Sequence, residues 1–368
     1  MRILAQCKKE LAQFSRDRLT VALAIVLPLA TLLIFGFAIR LQTKDIPIVV
    51  QDFSMTPTSR SYVAQLFATN QFQPTKWSGQ DPINDAIEKG IAKAAVIIPP
   101  DFERQVKAEK PTTIQVLIDG TDANNARLIQ NSIKATTNNF LTRSGLAPPN
   151  LNRINTNTRL WFNPGRKESL YIVPGVFGVI LWIFPSLLAA IAMVREKEAG
   201  TILQVYTSSL TATELILGKL LAYFIVALAE AIFVISLGAI LFHLWFAGDP
   251  TPFLLGTLLY LGTSVMFGLL IGVRTSTQNA AVQGVATIGF LTALLLSGFI
   301  YPLSNIPFPL SLISAVLPAR YYIELSRDAF VRGTGWPGIW YAPLAIAAVG
   351  LFLFNVSRRA LSRMQLPE

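Results

Sequence analysis

Gly218 and Lys219 stand side by side in ELILGKLL, the dipeptide that closes a phosphate-binding loop. Such a loop needs G-x-x-x-x-G-K and then Ser or Thr, so that backbone amides cradle the phosphates and the hydroxyl meets Mg²⁺. Here Leu220 follows and the upstream glycine is missing, so this is no nucleotide site. Metal chemistry is equally poor. His243 is the single histidine and Cys7 the single cysteine, which excludes a multi-histidine centre and any intrachain disulfide. No nucleophile–base pair stands out, so no catalytic residue, metal or cofactor is expected on this chain. Two features remain. Glu230 is a carboxylate about ten residues into an apolar run, a costly position that marks a functional candidate or a buried partner. It could contact a bound molecule, pair with a neighbouring helix, or lie nearer the interface. The other feature is REKEAGTILQVYTSSLTATELILGK, residues 195–219, charged at both ends and set between two apolar runs.

Those runs define the elements that must position it. The chain has 368 residues, 52% hydrophobic and 14% charged, against about 25% charged in an ordinary soluble domain. A bilayer core needs roughly 20 apolar residues of helix. Six stretches qualify: Leu19–Ile39, Ser169–Val194, Leu220–Phe246, Phe253–Val273, Ala280–Tyr301 and Gly338–Val356. The first is longer than the h-region of a signal peptide and lacks a small-residue cleavage site, so it reads as an uncleaved anchor. Lys and Arg gather on cytoplasmic loops. With the N-terminus inside, the inside segments hold 12 and the short outside loops hold only Arg320, Arg327 and Arg332. Both termini are therefore expected in the cytoplasm, with the chain multi-pass in the inner (plasma) membrane among its lipids. The same asymmetry explains the net charge of +10 without nucleic acid.

Residues 40–168 are a different material, with 16 Lys and Arg and 11 Asp and Glu. Strand-like IPIVVQD (46–52), KAAVIIP (93–99) and TTIQVLID (112–119) alternate with helix-like SRSYVAQLFAT (59–69), DPINDAIEKG (81–90) and a long stretch over 122–145. In the second of these, Asp81 suits an N-cap, Pro82 the first turn and Gly90 the stop. The fold expected is an α-helical polytopic membrane protein, six transmembrane helices with an inserted α/β extracytoplasmic domain. Residues 1–18 place Ile3, Cys7, Leu11 and Phe14 on one face of a helix. This reads either as an amphipathic helix on the inner membrane surface or as a basic anchor that sets topology. Residues 358–368 form a basic tail.

Within 195–219, Gly200 can end a helix in the left-handed conformation. Thr211 and Glu214 fit a capping box that starts a helix running through ELILGK into the third span. Two helical pieces joined by a tight turn are expected. Residues 296–333 carry Pro302, Pro307, Pro309 and Pro318, which no straight helix tolerates. Broken backbone at membrane depth is permitted where protein or water satisfies it, as a pathway or as a stiff outer turn. Arg320, Glu324, Arg327 and Asp328 are spaced to pair along a helix.

The pattern R-E-K-E-x-G-T-x-x-Q followed by L-x-x-x-E-L-x-x-G-K resembles the signature loop of ABC-2 type transporter permeases. LSGFIYPLSNIPFPLSLISAVLPARYYIELSRDAFVRG (296–333) and RLWFNPGRKESLYIVPG (159–175) resemble two further blocks of that family, in the subfamily with a large domain between the first two spans. The resemblance implies an export permease for an amphipathic, lipid-like or drug-like cargo. Two such subunits, alike or different, would work with two P-loop ATPase subunits that bind ATP and Mg²⁺. A periplasmic adaptor is left open. It also implies that Arg195, Glu196, Glu198, Gly200, Thr201, Gln204, Leu210, Glu214, Gly218 and Lys219 couple to the ATPase. Glu230, Pro302, Pro307, Pro318 and Arg327 would belong to the pathway or to a re-entrant segment over 302–333. An ion-coupled carrier would show several intramembrane charges, and a receptor or scaffold would need its spans only as anchors.

Overall fold

A computed structural model describes residues 2–38, 45–76, 81, 83–108, 110–120, 123–145, 162, 167–200 and 210–362. The chain divides into two units, one made of Met1–Ile39 with Leu160–Glu368 and the other of Arg40–Arg159. The first unit opens with helix α1, Arg2–Arg16, and helix α2, Arg18–Ala38. Asp17 stands at the break. Its carboxylate accepts from the Thr20 amide at 3.1 Å and the Thr20 hydroxyl at 2.6 Å, an N-cap that starts α2. These bonds hold the Asp17 carboxyl below the usual carboxylate range.

The 40–159 unit is a four-stranded mixed sheet with helices. Strands β1 (Ile46–Asp52), β2 (Phe72–Pro74), β3 (Ala94–Ile98) and β4 (Gln115–Ile118) lie in the order β2-β1-β3-β4. β1 pairs in parallel with β2 and β3, and β4 is antiparallel to β3. Helix α3 (Pro57–Phe67) begins in a capping box between Thr56 and Ser59. Helices α4 (Phe102–Lys107) and α5 (Ala123–Arg143) follow. One sheet face, with Ile48, Ala94 and Val96, packs under Tyr62, Leu66, Ile133 and Phe140. The expected strands, and the helices expected over 59–69 and 122–145, are present, with β4 shorter than 112–119. The stretch expected as a helix over 81–90 is a single π-turn, Ile83–Ile87, closed at Gly90 in left-handed backbone. Strand β2 and helix α4 had too few residues to show a period.

The chain returns to the first unit with α6 (Ser169–Glu198), α7 (Ala212–Phe242), α8 (Thr251–Arg274), α9 (Gln278–Leu296) and, last, a helix over Tyr341–Ser362. With α2 these make six helices long and apolar enough to cross a membrane, the number read from the sequence. α9 is interrupted by a π-turn at Val285–Phe290. Between α9 and the last helix lie a 3₁₀ turn at Leu303–Asn305, helix α10 (Leu310–Val316), helix α11 (Pro318–Arg327) and a π-turn at Asp328–Arg332. The final helix, α12, starts at Tyr341 after a separate turn at Trp336–Ile339. It carries Arg358 and Arg359, so the basic tail begins inside a helix.

α6 is the most buried of the six and α8 crosses it backbone to backbone. A Cβ on Gly268 would sit 2.0 Å from the Ser186 carbonyl oxygen, and one on Gly272 2.8 Å from the Ala190 oxygen. With Ser264 this is a small-residue stripe at i, i+4, i+8, the pattern that lets apolar helices approach closely. Its polar atoms are satisfied across the seam: Ser264 donates to the Trp182 carbonyl at 2.7 Å, and Ser186 to the Ser264 carbonyl at 2.8 Å. Above the seam Trp182, Tyr260 and Tyr322 stack at 5.7 and 4.2 Å between centroids. Gly262 of α8 faces open space. Gly268→Ala is expected to destabilise the purified chain by about 1–3 kcal/mol through overpacking. Gly262→Ala should be neutral or slightly stabilising, since Ala favours helix over Gly by about 1 kcal/mol. Thermal unfolding in detergent distinguishes the two.

Candidate coupling site

Arg195, Glu196, Lys197 and Glu198 close α6, and each reaches a different neighbour. The Arg195 guanidinium lies 2.9 Å from Asp17, the cap of α2. Glu196 accepts from Lys9 at 2.6 Å and lies 3.2 Å from the Lys219 ammonium. Lys197 donates to the carbonyls of Gly272, Val273 and Thr275 at 2.8, 2.6 and 2.9 Å. It thereby caps α8 where the helix dipole is negative. Glu198 accepts from the Gln278 amide at 2.7 Å and from its side chain, at the N-terminus of α9. The four residues fall within one helical turn of α6, so their side chains fan out round it. One charged turn therefore touches α1, the α2 cap, α7, α8 and α9.

Lys219 is the centre of this arrangement. It is wholly buried, 2.7 Å from Glu10 and 3.2 Å from the Ala192 carbonyl. Glu10, also buried, accepts from Gln6 at 3.0 Å and from Tyr223 at 3.5 Å. Two ammoniums and two carboxylates thus form a neutral cluster, the condition under which charges are tolerated away from water. Gly218 makes the contact possible, since a Cβ there would meet the Gln6 side chain at 2.6 Å and the Ile3 carbonyl at 3.3 Å. Phe14 packs edge-on against Tyr223. The apolar face of α1 is therefore laid on the helical bundle, with Cys7, Gln6 and Glu10 buried.

After α6, Gly200 adopts φ +67°, as a helix stop requires. Thr201 and Gln204 lie outside the described residues, and Leu210 just precedes the next cap. The capping box is formed: Glu214 accepts from the Thr211 amide at 2.9 Å, and the Glu214 amide donates to the Thr211 hydroxyl at 3.2 Å. Arg2 of α1 approaches Glu214 at 3.8 Å. Of the residues expected to meet an ATPase, Glu196, Gly218 and Lys219 are buried inside the chain, while Glu198 and Gly200 are exposed.

The second group is scattered. Glu230 is buried on α7 with no hydrogen-bond partner for either carboxylate oxygen among the described residues. Pro302 precedes the 3₁₀ turn and Pro318 opens α11. Pro307 accepts from the Ser311 amide at 3.1 Å, at the start of α10. Arg327 is a clamp: it donates to the Gly298 carbonyl at 2.9 Å and the Phe299 carbonyl at 3.3 Å, and its guanidinium lies 3.8 Å from the centre of the Tyr171 ring. Of the pairings expected along 320–328, Arg320–Glu324 forms at 3.9 Å. Asp328 instead accepts from Thr334 and the Gly335 amide, closing the turn after α11.

Sequence reasoning missed Lys9, Glu10, Asp17 and Tyr223. A signal was present for Glu10, a carboxylate on the face of α1 that also carries Ile3, Cys7 and Phe14. Cys7 makes the seat of α1 measurable, because burial both shields its thiol and pushes its pKa up, and only the thiolate reacts. Lys219→Met leaves Glu10 without its cation and is expected to raise maleimide labelling of Cys7 about tenfold, as α1 opens locally. Adding Glu10→Gln should restore slow labelling. A single variant that labels at the wild-type rate would show that the cluster does not hold α1.

The chain resembles known proteins over nearly its whole length. It is 27% identical over 351 residues to the probable multidrug ABC transporter permease YbhS of Escherichia coli K12, covering 90% of this chain and 89% of that protein. To the probable multidrug ABC transporter permease YbhR of the same strain it is 26% identical over 363 residues, 97% and 98% of the two chains. To the inner membrane transport permease YhhJ, also from K12, it is 25% identical over 348 residues, 89% and 90%. The family described as ABC-2 family transporter protein matches residues 18–357, from the first residue of α2 through most of α12, and the chain belongs to that family.

Proposed function

We propose that this chain is the membrane-spanning permease of an ATP-driven exporter, with hydrolysis performed by separate P-loop ATPase subunits. The observation that carries the reading is the charged turn 195–198. Its four side chains reach five neighbouring elements, and the helix that carries them stops at Gly200, eleven residues before the Thr211 cap of α7. A push on 195–219 would therefore be delivered to α6 and α7 together and, through them, to α1, α2, α8 and α9. The buried members of this group act as the frame of the coupling element. Glu198, Gly200 and Thr211, all exposed, present its outer surface, where the ATPase would dock. Two permeases and two ATPases form the working unit, with ATP and Mg²⁺ held by the ATPases. The charged end of α6, α1 and both chain termini lie in the cytoplasm, and the 40–159 unit lies outside it. A cargo path opens between the permeases, with Glu230 and the Pro-broken 302–333 segment as candidate pathway elements. The multidrug names of two relatives support a drug-like cargo.

Affinity purification of the tagged full chain in mild detergent tests this reading. The wild type is expected to retain a P-loop ATPase. Gly200→Val forces a β-branched residue into left-handed backbone, and Glu214→Lys removes a cap worth about 1 kcal/mol. The double variant should insert and assemble but lose the ATPase. Absence of an ATPase from both samples, with the chain otherwise intact, would overturn the proposal.

A further inference from the structure

The 40–159 unit contains an open-sided cavity of about 510 Å³, within the size range of small-molecule sites. One wall is a face of α5. The other is the sheet edge at β4, where Ile114, Val116 and Ile118 alternate onto one face and remain half-buried. β4 is the end strand of the sheet, and α5 stands off from it instead of closing over these three side chains. The floor is aromatic: Phe102 and Phe140 pack on the Tyr62 ring. Its one deep hydroxyl pair is satisfied within the unit. Thr137 donates to the Ile133 carbonyl at 2.8 Å and so accepts the Tyr62 proton at 2.9 Å.

The rim is the opposite in character. Gln130, Lys134 and Asn138 recur at i, i+4 and i+8 along α5, all three exposed at the lip, while Thr112 and Thr113 line the facing edge. Among the described residues, Lys134 is the one charged side chain on the wall. The nearby cations of α4 are already engaged, Arg104 with Asp101 and Lys107 with Glu103, whereas Lys134 has no ion-pair partner among the described residues. An apolar body that enters the cleft covers Ile114, Val116 and Ile118, which the fold leaves half-exposed. A negative head at the lip meets an uncommitted ammonium and two amide side chains.

We propose that this cleft is a binding site for an amphipathic organic anion, a single alkyl or aryl body ending in a carboxylate or sulfate. The inference rests on the chemistry of the 40–159 unit alone and holds whatever drives the helical bundle.

The test uses the full chain in nanodiscs of zwitterionic lipid, with a diazirine analogue of dodecanoate as photoprobe and adducts mapped by mass spectrometry. Adducts are expected within 112–118 and 130–141. Dodecanoate should compete for them at least about tenfold better than dodecyltrimethylammonium, which has the same tail and the opposite charge. Lys134→Glu should lower labelling of these segments about tenfold and leave labelling of the long apolar helices unchanged, while Lys134→Arg retains it. Ile114→Trp, which fills the cleft from β4, should abolish it with the cation still in place. Labelling of the cleft no stronger than of other exposed segments of the unit, or undiminished in Lys134→Glu, would overturn the proposal. Equal competition by the cationic detergent would do the same for the assigned charge.

Discussion

Everything at one end of the bundle depends on where the Lys219 ammonium finds its counter-charges. A cation with no exposed surface is tolerated only if paired and hydrogen-bonded, and removing one partner from such a cluster costs about 3–5 kcal/mol. Its partners come from Glu10, 209 residues earlier in the chain, and from Glu196. α1 is consequently an integral part of the bundle. Glycine at 218 is the steric complement of that requirement, because any side chain there would hold Gln6, and with it Glu10, away from the ammonium.

The rest of the unit supplies the rigid body against which this cluster works. The Ser264, Gly268 and Gly272 stripe brings α8 into backbone contact with α6. Lys197 then extends α6's hold to the last carbonyls of α8, and Glu198 extends it to the first amide of α9. Near the far end of α6, about 36–40 Å away by helical rise, Arg327 ties the residues around Tyr171 to the carbonyls that follow α9. α6 is thus gripped at both ends by charged side chains bound to the backbone of other elements, and a displacement of its charged turn is carried along its length.

Much of this was legible in the sequence and some was not, for identifiable reasons. The six apolar runs gave the six long helices because apolar length is a local property. The Thr211–Glu214 box and the Gly200 stop were readable because capping needs only three or four neighbouring residues. Arg195, Glu196 and Glu198 share one turn of α6 with Lys219 beside Glu196, but their individual bonds were not readable. Charges between two spans suggest a solvated surface, and nothing periodic links Lys219 to Glu10 or Lys197 to Gly272. Glu10 on the apolar face of α1 was the one local anomaly that pointed inward. In the 40–159 unit the three-residue strand β2 and the six-residue helix α4 fell below the length at which alternation or helical spacing can be counted. The cleft depends on how far α5 stands from β4, which no stretch of either reveals.

Burying Glu10, Glu196 and Lys219 has a mechanical consequence that an exposed set would lack. Surface ion pairs are worth about 0–1 kcal/mol and exchange readily with water, so a force applied to them is dissipated in side-chain rearrangement. A buried cluster has no solvent alternative. Its members either keep their partners and move together or lose them at several kcal/mol. An element framed in this way behaves as a rigid lever over small displacements and resists partial motion. That is the behaviour a transporter needs if a distant conformational change is to reach every helix at once and not be absorbed in the first loop it meets.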